Sequence, residues 1–206
     1  MIQRLHRYTE LPYLLQMLST KSLVLLPYQS WEDQNDVNFL DEYCKRRNVA
    51  VFSLCFTQAD ETFHHWKIYA PGTAGVRITF DREALAGLVA TRKDLQLREV
   101  RYLTLRQVRS RRPTIASWPF VKRYPFRDER EVRLICECPP DVTEPPRLRL
   151  RLPLIRRVTL GPDIHRSAHA AVRNAIRSAA PSARFEITAT TLIANDEWKR
   201  IATGTD

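Results

Sequence analysis

Gly75-Val76-Arg77-Ile78-Thr79-Phe80 alternates side chains with the period of a strand, and Asp81 follows where a helix running through Val89 needs its N-cap. Read the same way, the rest of the chain predicts strands over residues 4–8, 22–26, 49–57, 95–103, 131–138, 147–152, 158–160 and 184–190. Thr9 is placed to cap a short helix with Pro12 in its first turn and Leu14, Leu15 and Leu18 inward. Further helices are expected over 37–47, with Phe39, Leu40 and Tyr43 on one side, over 61–69, and from Gly161-Pro162-Asp163 to about residue 179. Pro139-Pro140 and Pro145-Pro146 fence a loop, and Trp31 to Asp36 reads as an Asx-rich turn capping the helix at 37.

Short strands interspersed with helices and no internal repeat define an α+β chain, with a mixed, split β-sheet core and several flanking helices. At 206 residues it is expected to fold as one domain, 1–206. Hydrophobic residues make up 44% and charged residues 27%, as in a folded soluble protein, and no apolar run approaches the roughly 18 residues of a membrane span. The start of the chain lacks the pattern of a secretory signal, so a cytoplasmic location is expected, with no membrane partner. Cys44, Cys55, Cys136 and Cys138 are too sparse for a disulfide framework and read as reduced thiols. The Cys136-Glu137-Cys138 spacing does not suit a zinc knuckle, and adjacent His64 and His65 diverge by about 100° on a helix, so no metal is expected.

The net charge of +10 comes mostly from arginine. Guanidinium groups grip phosphates bidentately, so this surface suits nucleic acid, a dinucleotide or an acidic protein partner. Charge concentrates between Arg98 and Arg112 and in Arg147-Leu148-Arg149-Leu150-Arg151-Leu152. The second segment reads as an amphipathic edge strand rather than a nucleic-acid stripe, because no aromatic residue interleaves its arginines.

The segment from Phe126 to Ile135 sets Glu129 and Glu131 two residues apart where the chain turns apolar. On a strand the two would share a face, with Arg127, Arg130 and Arg133 nearby to keep them charged. Such a pair suits acid-base or cation-stabilising chemistry, and taken alone the segment equally describes a salt-bridged, solvated strand end.

Leu5-His6-Arg7-Tyr8, the Trp31-Glu32-Asp33-Gln34-Asn35-Asp36 loop, Cys55-Phe56-Thr57, His65-Trp66-Lys67-Ile68-Tyr69, Gly75-Val76-Arg77-Ile78-Thr79-Phe80-Asp81 and Glu129-Arg130-Glu131-Val132-Arg133 occur in this order over most of the chain. The set resembles a bacterial domain family of unassigned function with Cys-Phe-Ser, Trp-x-x-Tyr, Gly-Val-x-Ile-x-Phe and Glu-x-Glu-x-Arg motifs. More distantly, the order is similar to that of ADP-ribosyltransferases of the arginine-serine-glutamate type. That resemblance implies an ADP-ribosyltransferase-like fold and NAD as substrate, with Arg7 and Tyr8 on the NAD side, Ser53 or Thr57 shaping the nicotinamide pocket, and Glu131 stabilising the oxocarbenium-like state. It implies that Glu129 prepares the acceptor. Here Ser53-Leu54-Cys55-Phe56-Thr57 stands where such enzymes carry Ser-Thr-Ser. Tyr69 or Trp66 could stack on the nicotinamide, or the two could form a core pair at i and i+3. The alternatives are a non-catalytic nucleic-acid-binding or nucleotide-sensing module, and a nuclease-like site using Asp33, Asp36 and the glutamate pair around a divalent ion.

Overall fold

The computed structural model describes residues 4–204. Its first half runs β1 (Arg4–Glu10), α1 (Leu11–Thr20), β2 (Ser22–Val24), β3 (Leu26–Pro27), α2 (Gln34–Arg47), β4 (Ala50–Thr57), α3 (Phe63–Tyr69), β5 (Gly75–Asp81) and α4 (Arg82–Val89). Its second half runs β6 (Leu95–Glu99), β7 (Arg101–Leu103), α5 (Leu105–Ser110), β8 (Val121–Arg123), β9 (Glu131–Cys138), β10 (Arg147–Arg149), β11 (Ile155–Leu160), α6 (His169–Ala179), β12 (Glu186–Ala189) and α7 (Asp196–Thr203). This is a mixed α+β architecture with sheet strands flanked by helices.

The described residues cluster into two compact units. The first holds residues 4–5, 22–59 and 81–150. Its centre is β9, paired antiparallel with β4 on one side and β6 on the other. Six consecutive β9 residues, Glu131 to Cys136, are buried, as expected of a strand covered on both faces, yet the run includes two charged side chains. Over β9 lies α2, capped by the Asp33 carboxylate, which accepts the Asn35 N–H at 3.0 Å. Leu40 and Tyr43 of α2 pack with Val51, Ile135, Tyr28 and Phe120. Asp36 lies on the same buried face at i, i+4 and i+7 with those two residues.

The second unit holds residues 6–21, 60–80 and 151–204. Its strand order is β12-β11-β5-β1, with β11 parallel to β12 and antiparallel to β5. Helix α1 packs on α6. Gly161 closes β11 where the chain passes β5: its N–H donates to Gly75 O at 2.8 Å, and a Cβ there would stand 2.6 Å from that oxygen and 3.1 Å from the Trp66 ring.

Several boundaries differ from the expectation. Thr9 belongs to β1, and α1 starts after Glu10 without a side-chain cap. The Asx turn at 31–36 caps the following helix as expected, through Asp33, but α2 starts at Gln34 rather than 37. Gly161-Pro162-Asp163 makes a turn rather than a helix start; α6 begins at His169 after a short 3-10 segment. The expected strand at 147–152 is three residues long and pairs with β2, with Leu148 and Leu150 buried and its arginines exposed. Helix α7 was not expected, although Asn195 caps it, Asp196 and Glu197 open it and Gly204 closes it in the left-handed conformation, and it buries no residue.

Candidate functional site

Two polar clusters stand out, one in each unit. In the first, Thr57 of β4 lies directly opposite Glu131 of β9, Cys55 opposite Arg133 and Ser53 opposite Ile135. Opposed residues of an antiparallel pair share a face, so Ser53, Cys55 and Thr57 share one with Glu131 and Arg133. Arg133 is fully enclosed and uses its donors in a fixed pattern. Its Nε and Nη2 hold the two Glu131 carboxylate oxygens at 2.8 and 2.9 Å, and Nη1 and Nη2 hold Asp36 at 3.0 and 2.7 Å. Nη1 also donates to Pro119 O at 2.8 Å, and the Trp31 ring lies 4.5 Å from the guanidinium carbon. Bidentate pairing on two sides is what a planar guanidinium provides and an ammonium does not.

Lys122 of β8 adds the second cation. Its Nζ donates to Glu129 at 2.7 Å and lies 3.7 Å from Glu131 and 3.9 Å from Asp36. Lys122 thus links Glu129 to the Glu131–Arg133–Asp36 group. Burial alone would raise the Glu131 carboxyl, but Arg133 and Lys122 outweigh it and bring it down to about 2. Burial pushes Asp36 up, against the pull of Arg133. The strand start is pinned as well, since Glu131 N–H donates to the Tyr102 hydroxyl at 2.8 Å.

Glu129 and Glu131 do not share a strand face as expected. β9 begins only at Glu131, and Glu129 ends a 3-10 segment, Tyr124–Glu129. Between them Arg130 adopts the left-handed conformation, φ 44°, which redirects the chain. Thr57 locks this turn: its hydroxyl donates to Glu129 O at 2.5 Å and accepts the Ala59 N–H at 2.9 Å. The two glutamates meet instead through Lys122. Of the arginines expected to serve them, Arg133 does so through Glu131, while Arg127 lies over the Tyr124 ring at 4.6 Å.

In the second unit, Tyr8 of β1 stacks on His65 at 5.4 Å and meets Trp66 edge-on at 4.9 Å, while His65 contacts Tyr69 at 5.9 Å. Trp66 is 1% exposed and its indole donates to Glu61 at 2.7 Å, so its ring is enclosed, whereas Tyr69 is 42% exposed. Arg77 reaches over Tyr8 and pairs with Glu61 at 3.4 Å. Burial pushes the Tyr8 hydroxyl up, against the pull of the neighbouring Arg77 guanidinium. Arg7 is half-buried on β1, beside His6, whose Nδ1 meets Thr79 Oγ1 at 3.0 Å.

Asp36 joins Glu131 through Arg133 and Lys122 rather than around a divalent ion, and Lys122 and Tyr102 are partners of Glu131 that the sequence reading does not name. Only Asp36 carries a signal, an acid on the apolar face of α2. Among the described residues no group of three or more His, Cys, Asp or Glu is arranged to hold a metal ion, and no helix is long and apolar enough to cross a membrane.

No protein-family model and no curated protein matches the chain. Similar solved structures include Thermus sp. 2.9 DarT in complex with ADP-ribosylated ssDNA, at 11% identity over 93% of this chain and 95% of that one, TM-score 0.48. The same protein in complex with NAD+ aligns at 12% identity over 92% and 96%, TM-score 0.46, and in complex with carba-NAD+ at 11% over 93% and 96%, TM-score 0.46.

Proposed function

We propose that the chain is an ADP-ribosyltransferase-like enzyme that cleaves the nicotinamide–ribose bond of NAD and passes ADP-ribose to an acceptor. The observation that carries this reading is Glu131, a buried carboxylate held ionised at about 2 by Arg133 and Lys122 and fixed at both oxygens. As the bond breaks its electrons leave with nicotinamide, and positive charge develops on the ribose carbon. An anion already fixed in place stabilises that charge more than it stabilises the ground state, without reorganising. Ser53 and Thr57 are the proposed hydroxyl contacts. Arg7, Tyr8 and Tyr69 are the proposed NAD contacts of the second unit, with Trp66 packed edge-on against Tyr8 as its support. Glu129, held by Lys122, is the proposed acid that orients the acceptor.

The test is nicotinamide release from NAD by the wild type and by Glu131→Gln, with thermal melting alongside to confirm that the variant folds. Release that falls at least a hundredfold in a folded variant supports the reading. A wild type inert toward NAD with every acceptor tried, or release unchanged in Glu131→Gln, sinks it.

A second reading, a binding module for nucleic acid or an acidic protein, is favoured by one observation. Tyr124, 44% exposed, lies under Arg127 in a segment where Arg123 and Arg130 are also exposed, which is the aromatic interleaving that the 147–152 strand lacks.

A further inference from the structure

Cys136 and Cys138 close β9, and the proposed chemistry uses neither. Alternation puts both on one face of the strand, and their sulfurs lie 3.6 Å apart. They differ in access: Cys136 is buried, and its thiol donates to Asp94 Oδ2 at 3.2 Å, while Cys138 is half-buried. The backbone around Cys138 is also less tied. β6 starts at Leu95, opposite Cys136, so Cys138 has a strand partner only on the β4 side, Ala50, and Pro139-Pro140 follows at once.

We propose that Cys136 and Cys138 form a redox-active dithiol that a low-molecular-weight disulfide converts to an intrastrand disulfide. Cys138 Sγ, deprotonated, attacks one sulfur of that disulfide; the S–S bond breaks and one small thiol leaves with the electron pair and a proton. Cys136 Sγ, having given its proton to solvent, then attacks Cys138 Sγ across the 3.6 Å gap and expels the second small thiol. Two protein thiols are oxidised and one external disulfide is reduced to two thiols. The order follows from access and from burial, which with the Asp94 carboxylate pushes the Cys136 thiol up and makes Cys138 the first nucleophile. Residues i and i+2 of a strand have Cα atoms about 6.6–6.8 Å apart, the long edge of what a disulfide spans, so the product is strained and easily reduced. The pair is therefore suited to reversible oxidation rather than to structural cross-linking.

The full chain is incubated with oxidised glutathione, blocked with N-ethylmaleimide and digested with trypsin, which cuts after Arg133 and Arg147 and leaves both cysteines on one peptide. The expected peptide carries no maleimide, is lighter by two hydrogen atoms, and regains two blockable thiols after brief treatment with reduced glutathione. In Cys136→Ser, the glutathione adduct on Cys138 should persist instead of resolving. A peptide carrying two maleimides, a stable glutathione adduct on wild-type Cys138, or an adduct in Cys136→Ser as short-lived as in wild type overturns the proposal.

Discussion

Arg133 and Asp36 meet across 97 residues of sequence, the guanidinium of a buried strand closing on the carboxylate of a buried helix turn at 3.0 and 2.7 Å. The pair ties α2 to β9 and so fixes the orientation in which Arg133 presents its remaining edge to Glu131. Desolvating such groups costs more than their attraction returns unless every donor is used, and here Asp36, Glu131 and Pro119 O use them. The arrangement serves position before stability.

Removing Arg133 should therefore be severe. Arg133→Met leaves two buried carboxylates facing each other, and breaking a buried pair in this way costs about 3–5 kcal/mol. Arg133→Lys should recover only part of it, because an ammonium cannot reproduce two bidentate contacts. Urea unfolding midpoints measure both. A loss below about 1 kcal/mol for Arg133→Met would show that the network is slack, since that is the range of exposed pairs.

Acid should loosen the first unit over a defined window. The Glu131 carboxyl is depressed in the folded state to about 2 from 4.5, so its contribution is fully present above 4.5 and is lost as pH falls through the folded value. The depression corresponds to a contribution on the order of 3 kcal/mol at neutral pH. Lys122 works in the other direction: burial opposes its charge, Glu131 and Glu129 more than compensate, and its raised value places its loss of stabilisation in strong alkali. Denaturant midpoints of wild type and Glu131→Gln between pH 5 and pH 2 should converge as pH falls. Parallel curves would mean that Glu131 titrates alike in the folded and unfolded chain.

The arginine surface should bind polyanions with steep salt dependence, because each phosphate contact releases condensed counterions. Arg127→Ala and Tyr124→Ala should each weaken retention of single-stranded oligonucleotides in a filter-binding titration, and the aromatic variant should lose stacking without changing the salt slope. No retention of DNA or RNA at low salt would remove the second functional reading.

The strands were legible wherever alternation or an apolar run did the specifying. β9 begins and ends where its sequence says, and β5 hands over to α4 at Asp81, whose side chain accepts the Ala84 N–H at 3.0 Å. Local chemistry failed where two readings share one signal. Gly161-Pro162-Asp163 suits a helix start and a tight turn equally, and the close approach of Gly161 to Gly75 decides for the turn. The relation of Glu129 to Glu131 was misread because Arg130, a residue with no preference for the left-handed region, adopts it where Thr57 holds the adjoining carbonyl. Asp36 was grouped with the glutamates only as a metal ligand, and Tyr102 and Lys122 were beyond local reading, since they arrive from separate elements.

Thr57 gives a test of that turn apart from any chemistry. Thr57→Val keeps the shape but removes a donor to Glu129 O and the acceptor of the buried Ala59 N–H, at a cost of about 1–3 kcal/mol. Thr57→Ser should retain most of the stability. Equal stability of the valine and serine variants would show that water replaces the hydroxyl.

The last prediction separates the two glutamates by their surroundings. Glu131 is enclosed and fixed at both oxygens, while Glu129 accepts from Lys122 at 2.7 Å at the end of a 3-10 segment. If Glu131 stabilises the forming cation, its amide variant loses NAD cleavage and transfer together. If Glu129 orients or deprotonates the acceptor, Glu129→Gln retains slow nicotinamide release to water while transfer drops by about 10²–10⁴, the usual worth of a positioned general base. The split appears as nicotinamide release against acceptor-bound ADP-ribose in the same reaction. Glu129→Gln should also cost little stability, since Lys122 keeps Glu131 and Asp36 within 4 Å. Loss of release and transfer to the same extent would move Glu129 from the acceptor side to bond cleavage itself. Retention of both would leave it as the ion-pair partner of Lys122 alone.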